Sequence, residues 1–233
     1  GIYGNEDPMY ILAGLPFIAP DYSSAWLLKD VQMEYLQEKF DKKGLMILYT
    51  APWPGQGFYT KFPVNSVSDF SGKKLRIYST ATQQMGSMLG FNATILPFAE
   101  IPQAFSTGLI EALFTSPQTG IDIQAWDNTK HFTYAGAIFS KNAVVVTKKA
   151  FNALSKGDQS NMLAAAKKAE LRGWEMSAET TKKQIGILKK NGMSSKNAPD
   201  EVISKMKSIG LEMMKNWRSK ASPEANAVLD RYL

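Results

Sequence analysis

Short apolar runs alternate with segments of helical period through the first 150 residues, and the remainder is helical in period throughout. That alternation predicts an α/β fold with a largely parallel sheet. Ser23 or Ser24 is placed to cap a helix carrying Leu27, Leu28, Val31, Tyr35, Leu36 and Phe40, with Gly44 as its stop. A strand over 45–50 follows at once. Leu75 and Ile77 alternate with Lys74, Arg76 and Tyr78, which predicts another strand. A helix over 80–89 ends at Gly90, a strand over 93–96 enters Pro97 and Phe98, and 100–107 is helical up to Gly108. The next strand runs into Thr115, Ser116, Pro117 and Gln118. Residues 134–139 and 143–146 predict two more strands, the second so uniformly apolar that it reads as buried on both faces. Ser155 and Asp158 form a capping-box pattern before a helix reaching Lys190, with Asn191 and Gly192 as its stop. More than 30 residues of helix span about 45 Å or more, too long for one lobe of this size, so this helix must bridge two. Helices over 200–215 and 224–233 complete the chain.

With 233 residues and 44% hydrophobic content the chain can bury a large core. Its longest apolar runs, such as 45–48 and 143–146, fall far short of the roughly 18 residues a membrane span needs. No signal peptide is visible, which a trimmed sequence would have lost. Cysteine is absent, so thiolate metal sites, thiol nucleophiles and disulfides are excluded together. The net charge of +6 is uneven: residues 1–140 hold 9 Lys and Arg against 12 Asp and Glu, and residues 141–233 hold 18 against 9. The basic excess alternates with acids at helical spacing, as on a solvated face, which argues against nucleic acid as a partner.

Arg76 is the most informative single residue. A two-residue period sends it to the face opposite Leu75 and Ile77, and its guanidinium offers a planar fork that fits a carboxylate. An edge-strand arginine that keeps the edge soluble is the plainer reading. The segment 51–61, APWPGQGFYTK, reads as a stiff loop carrying Trp53, Phe58 and Tyr59; these aromatics either wall a binding site or plug the end of a core. The polar residues after the strand that ends near Thr115 lie where open α/β sheets bind ligands, outside the carboxyl ends of strands. Catalytic chemistry is missing. The single histidine, His131, has no nucleophile or acid in a recognisable pattern around it. No Walker loop or complete GxGxxG is present, and Glu100, Glu111 and Asp122 are scattered over different elements. The sequence reads as that of a binder, with no cofactor and no metal.

Several segments together resemble the solute-binding proteins of tripartite ATP-independent periplasmic (TRAP) transporters, the DctP-like family. They are GNEDP at 4–8, LPFIAPDYSSA at 15–25, DFSGKKLRIYS at 69–79, LPFAEIPQAFSTGLIEALFTSP at 96–117 and KNAVVVTKKAFNALSKGDQ at 141–159. The likeness covers nearly the whole chain in order. It implies a two-lobe periplasmic-binding-protein-like α/β fold with hinge strands and a long lobe-spanning helix. Residues 1–52 and 140–180 would form lobe I, and 53–139 and 181–233 lobe II. It also implies a periplasmic receptor, not itself membrane-spanning, that closes on a small carboxylate and delivers it to TRAP transporter membrane subunits without chemistry.

In that family the arginine of the strand after D-x-x-G clamps the ligand carboxylate, and Arg76 occupies that position. Ser79, Thr115, Ser116, Gln118 and Gln56 are then candidates to orient a second polar group, and Trp53, Tyr59, Phe98 and Phe114 to pack the ligand's hydrocarbon body. Two departures stand out. Family members usually begin with a further strand-helix-strand-helix unit, so part of the first lobe is expected to precede this chain. Many also carry a Gln-x-Asn-Pro segment where this chain has Leu113, Phe114, Thr115, Ser116 and Pro117. That replacement resembles the branch taking keto, hydroxy or aromatic monocarboxylates more than the sugar-acid branch. An enzyme on the same scaffold is the alternative, with His131 as its one candidate base.

Overall fold

The computed structural model describes residue 4 and residues 6–233; Asn5 of the GNEDP segment lies outside the described residues. A short helix α1 (Met9–Leu12) precedes α2 (Tyr22–Asp41). Asp21, rather than Ser23 or Ser24, caps α2: its carboxylate accepts the Ser24 N–H, because Asp21 is the last residue in extended backbone. Gly44 takes φ +70° and turns the chain into β1 (Leu45–Pro52). There follow β2 (Gly57–Thr60), β3 (Lys74–Ile77), α3 (Thr80–Met88), β4 (Asn92–Ile95), α4 (Ile101–Ser106), β5 (Ala112–Thr115) and α5 (Pro117–Asp122). The second half contains β6 (His131–Tyr134), β7 (Lys141–Thr147), α6 (Lys148–Asn152), α7 (Lys156–Lys190), β8 (Ser194–Asn197), α8 (Asp200–Lys220) and α9 (Pro223–Tyr232).

The α/β class is as expected, but the sheet is mixed rather than largely parallel. Six strands run in the order β4-β3-β5-β2-β6-β8. β4, β3 and β5 are parallel to one another, β2 is antiparallel to both its neighbours, and β6 and β8 are parallel. The centre of this sheet is β2, which the sequence places in a loop. β6 begins three residues earlier than expected, and 135–140 are a connector instead of a strand. β8 was not anticipated at all.

A second, two-stranded sheet pairs β1 with β7 antiparallel. Its strand β7 is not buried on both faces: Asn142, Ala143 and Val145 are exposed, Val145 by 41%, because only β1 lies beside it among the described residues. Two connectors, 53–56 and 135–140, join the sheets and are laced together. Trp53 N–H donates to Ser140 O at 2.8 Å, and Gln56 O accepts from the Ala135 and Gly136 N–H groups.

The long helix expected from Ser155 and Asp158 is α7, 35 residues and so about 52 Å long. Its first half meets β1, where Thr50 Oγ1 donates to Glu170 and accepts from Trp174 Nε1. Its second half reaches the larger sheet, where Gln184 bonds Gln118 of α5 and Leu188 enters the core. Apolar side chains collect on the two faces of the six-stranded sheet. Leu75, Ile77, Phe58 and Phe114 join α2, α3, α8 and α9 on one face; Leu113, Tyr59 and Phe132 join α4 and Leu188 on the other.

Candidate functional site

Strand register explains what surrounds Arg76. It lies in one cross-strand row with Leu113 of β5, Tyr59 of β2, Phe132 of β6 and Ser195 of β8. Side chains in one row share a face, so Arg76 stands between Thr94 of β4 and the apolar stretch Leu113, Tyr59 and Phe132, on the face away from Leu75 and Ile77 as its period predicts. It is only 4% exposed. Its Nε and Nη2 both donate to the Leu96 carbonyl oxygen, at 3.1 and 2.9 Å. No Asp or Glu among the described residues forms an ion pair with it. Burial pulls its pKa down and the neighbouring Tyr78 pulls it back up, but a guanidinium stays charged under either influence. The fold therefore holds a buried cation against a single neutral acceptor, with two fork nitrogens aimed at Leu96 and Nη1 without a hydrogen-bond partner among the described residues.

Tyr78, two residues on, ties this strand to the connectors. Its hydroxyl donates to Gln56 Oε1 at 2.7 Å, and Gln56 Nε2 donates to Ser140 Oγ at 3.1 Å. Burial pushes the Tyr78 phenol up to about 12, so it remains a donor at any physiological pH. Gln56 is thus a buried internal link between the two connectors and β3.

The structure distributes the remaining candidates unevenly. Ser79 caps α3 and Ser116 caps α5, each accepting the N–H three residues on, so both hydroxyls are already engaged beside the carboxyl ends of β3 and β5. Thr115, buried at the end of β5, makes no hydrogen bond through its hydroxyl among the described residues. Phe98 is 53% exposed, two residues after the carbonyl that Arg76 grips. Tyr59 and Phe114 are corrected to core residues: both are fully buried, on opposite faces of the sheet, and Tyr59 Oη donates to Ser116 O. Trp53 and Gln118 line a cavity of about 280 Å³ at the junction of the sheets. Neither that cavity nor a second of about 270 Å³ between α1, α3 and α8 is lined by Arg76. The geometry thus brings Arg76, Ser79, Thr115 and Ser116 to neighbouring strand ends with Phe98 nearby, and sets Trp53 and Gln118 apart.

His131 opens β6, three strands from β3 and so about 14 Å across the sheet. Burial and then Lys196 lower its pKa. It is remote from the strand ends that hold the candidate polar groups. A residue that sequence reasoning missed is Lys141, at the start of β7. Its Nζ donates to the neutral Gln32 Oε1 at 2.7 Å, and burial, reinforced by Lys29, pushes its pKa down to about 8. The available signal was a lysine opening a β-branched strand, where an ammonium has little room to reach water.

An α/β chain of two sheets joined by paired connectors and a bridging helix, with a buried cation near the strand ends, has the architecture of a two-lobe solute-binding protein. The comparisons agree. The family described as bacterial extracellular solute-binding protein, family 7 (DctP), matches residues 2–220, and the chain belongs to that family. DctP7 of Bordetella pertussis, an extracytoplasmic solute receptor binding pyroglutamic acid, is 37% identical with a TM-score of 0.95, over 99% of this chain and 76% of that one. A marine metagenome TRAP solute-binding protein specific for pyroglutamate is 32% identical with a TM-score of 0.93, again over 99% and 76%. A curated relative, a solute-binding protein of Chromohalobacter salexigens, is 24% identical over 194 residues, which are 79% of this chain and 57% of the relative. The family is one of binding proteins rather than enzymes. Among the described residues no helix is long and apolar enough to cross a membrane.

Proposed function

We propose that this chain is the ligand-capturing part of a periplasmic TRAP receptor, and that Arg76 clamps the carboxylate of a small monocarboxylic acid of the pyroglutamate kind. The observation that carries this reading is the buried guanidinium whose hydrogen-bond partner among the described residues is one carbonyl oxygen. A buried cation without a counter-charge is costly, and a ligand carboxylate offsets that cost while forming charge-assisted bonds. The relatives that bind pyroglutamate support the class of ligand. In this reading Thr115 meets a second polar group, Phe98 covers the ligand, and the connectors 53–56 and 135–140 flex as the two lobes close. Closure excludes water and strengthens the arginine–carboxylate pair. Delivery to membrane subunits of a TRAP transporter then follows without chemical change.

Calorimetric titration with pyroglutamate, lactate, pyruvate and phenylacetate, together with mass spectrometry of acids released on denaturing freshly purified protein, tests the reading. Saturable binding of at least one of these monocarboxylates is expected. Binding of none, with no carboxylate in the released material, overturns it.

A further inference from the structure

The starts of β3, β5 and β6 and the end of β2 meet at one pole of the six-stranded sheet, opposite the strand ends that hold Thr115 and Ser116. Backbone bonds carry the ladder one residue beyond the strands there. Glu111 N–H donates to Lys74 O at 2.9 Å, Lys61 N–H to Glu111 O at 3.2 Å, and Lys130 N–H to Thr60 O at 3.1 Å. Lys74, Glu111, Lys61 and Lys130 therefore stand side by side, one on each of four neighbouring strands, about 4.8 Å apart. The end of α7 adds Lys189 and Lys190, because the chain turns from there into β8, where Ser194 N–H donates to Lys130 O at 2.9 Å.

Like charges on adjacent strands cost stability, and this pole does not neutralise its own. Lys61, Lys74, Lys130, Lys189 and Lys190 are all exposed, and none forms an ion pair among the described residues. Glu111 is half-buried and accepts the Lys74 N–H, and Asp127 is exposed in the turn before β6; the balance stays basic. Lys61 Nζ donates to Phe105 O at 3.3 Å and Lys74 Nζ to Gly108 O at 3.0 Å. These bonds steady both stems at the end of α4 and leave two N–H groups on each ammonium for an outside acceptor. Supporting that helix end accounts for Lys61 and Lys74, but not for Lys130, Lys189 and Lys190. Next to the carbonyl that Lys74 grips comes Leu109, 54% exposed.

We propose that this pole is a docking surface for an anionic lipid bilayer, with the lysines meeting headgroup phosphates and Leu109 entering the boundary with the acyl chains. Compact ammonium charges suit a fluid array of phosphates that rearranges around them, and an exposed leucine gains burial only from a partner with an apolar interior. A bilayer supplies both. Because the pole lies opposite Thr115 and Ser116, a docked protein keeps those strand ends free.

The test is co-sedimentation of the chain with vesicles of phosphatidylcholine alone and of an equal mixture with phosphatidylglycerol, at low salt and at about 0.15 M. Binding to the mixed vesicles alone, weakened by salt, is expected. The variant Lys130→Gln/Lys189→Gln/Lys190→Gln removes ammonium groups that make no hydrogen bond among the described residues, so the fold is not at stake. At about fivefold per lysine it should bind roughly 100-fold more weakly. Lys167→Gln/Lys168→Gln/Arg172→Gln removes as much exposed charge from the first half of α7 and should stay within about threefold of wild type. Leu109→Ser should lose about tenfold, and the loss should persist when salt is raised. Equal binding to both kinds of vesicle, or equal losses in the two triple variants, overturns the proposal. Wild-type binding by Leu109→Ser also overturns it, in favour of an acidic protein partner held by charge alone. Pyroglutamate titration reads the Arg76 site separately, so the two proposals fail independently.

Discussion

Replacing Arg76 with methionine should move ligand affinity and ligand-free stability in opposite directions. The substitution keeps an unbranched apolar stem in the row beside Leu113 and removes only the charge and its donors. In the ligand-free protein two contributions compete. Losing the donors leaves the Leu96 carbonyl short of a partner, at a cost of about 1 to 3 kcal/mol. Removing a buried charge that has no counter-ion relieves a desolvation penalty of several kcal/mol. Leu96 is only half-buried, so water can partly replace the lost donors, and the relief wins. Arg76→Met should therefore leave the ligand-free protein as stable as wild type or more stable by about 1 to 2 kcal/mol. Affinity for the carboxylate should fall by about 2 to 5 kcal/mol, roughly 30-fold to a few thousand-fold.

Urea unfolding of both ligand-free proteins, followed by calorimetric titration with pyroglutamate, reads the two effects separately. Ligand should also raise the melting temperature of the wild type and leave that of the variant unmoved at the same concentration. The reasoning is refuted if Arg76→Met is destabilised by more than about 2 kcal/mol while binding the acid as tightly as wild type. Arg76 would then be a brace for the Leu96 carbonyl and not a clamp.

Lys141→Met should stabilise the protein by roughly 1 to 2 kcal/mol at pH 7, net of the lost bond to Gln32. The Lys141 pKa is depressed to about 8 in the fold, so between there and its ordinary value of about 10.4 the unfolded chain holds more protons. Wild-type stability rises with pH through that window and the variant's advantage closes; identical pH profiles would show that the ammonium is solvated. Gly120→Ala drives a methyl group into the ring of the buried Tyr59 and should cost about 1 to 3 kcal/mol; an unchanged urea midpoint would show the ring has room. Thr50→Val keeps shape but strips the hydroxyl between Glu170 and Trp174, and should cost about 1 to 3 kcal/mol with a change in tryptophan emission. Retention of wild-type stability there would mean that α7 does not depend on this contact.

What could be read from the chain follows from how locally each feature is determined. The face taken by Arg76 was legible because period two operates within one strand. The length of α7 was legible because its cap, Ser155, and its end at Asn191 are sequence signals. β2 was hidden: Gly57–Thr60 is four residues long, begins at a glycine, and follows two prolines, so no periodicity develops. It is a strand because β5 and β6 offer ladders on both sides. β8, Ser-Ser-Lys-Asn, has no apolar residue and becomes an edge strand only because β6 stands next to it. Ser79 and Ser116 were read as ligand groups, although Thr82 and Thr119 three residues on already marked them as helix caps. A hydroxyl at a strand end serves the adjacent helix before it serves a ligand.

The charge arrangement links these observations to function. Some lysines of this chain meet acids, as in Lys39 with Asp7, Lys42 with Glu38 and Lys148 with Asp41, and exposed ones such as Lys61 and Lys74 donate to backbone oxygens with water at hand. Even the buried Lys29 lies within reach of Asp30 and Glu170. Arg76 is different in being only 4% exposed while donating to a neutral oxygen, and the half-buried Lys141 likewise donates to a neutral oxygen. The chain does not lack acids: the carboxylates of Glu111 and Asp122 are engaged elsewhere, by the Lys74 N–H and by Gln118. A fold that keeps its acids away from a buried guanidinium leaves its own native state electrostatically incomplete. An anion that completes it gains affinity from the fold's existing penalty, so ligand binding and added stability should rise and fall together across substitutions at Arg76.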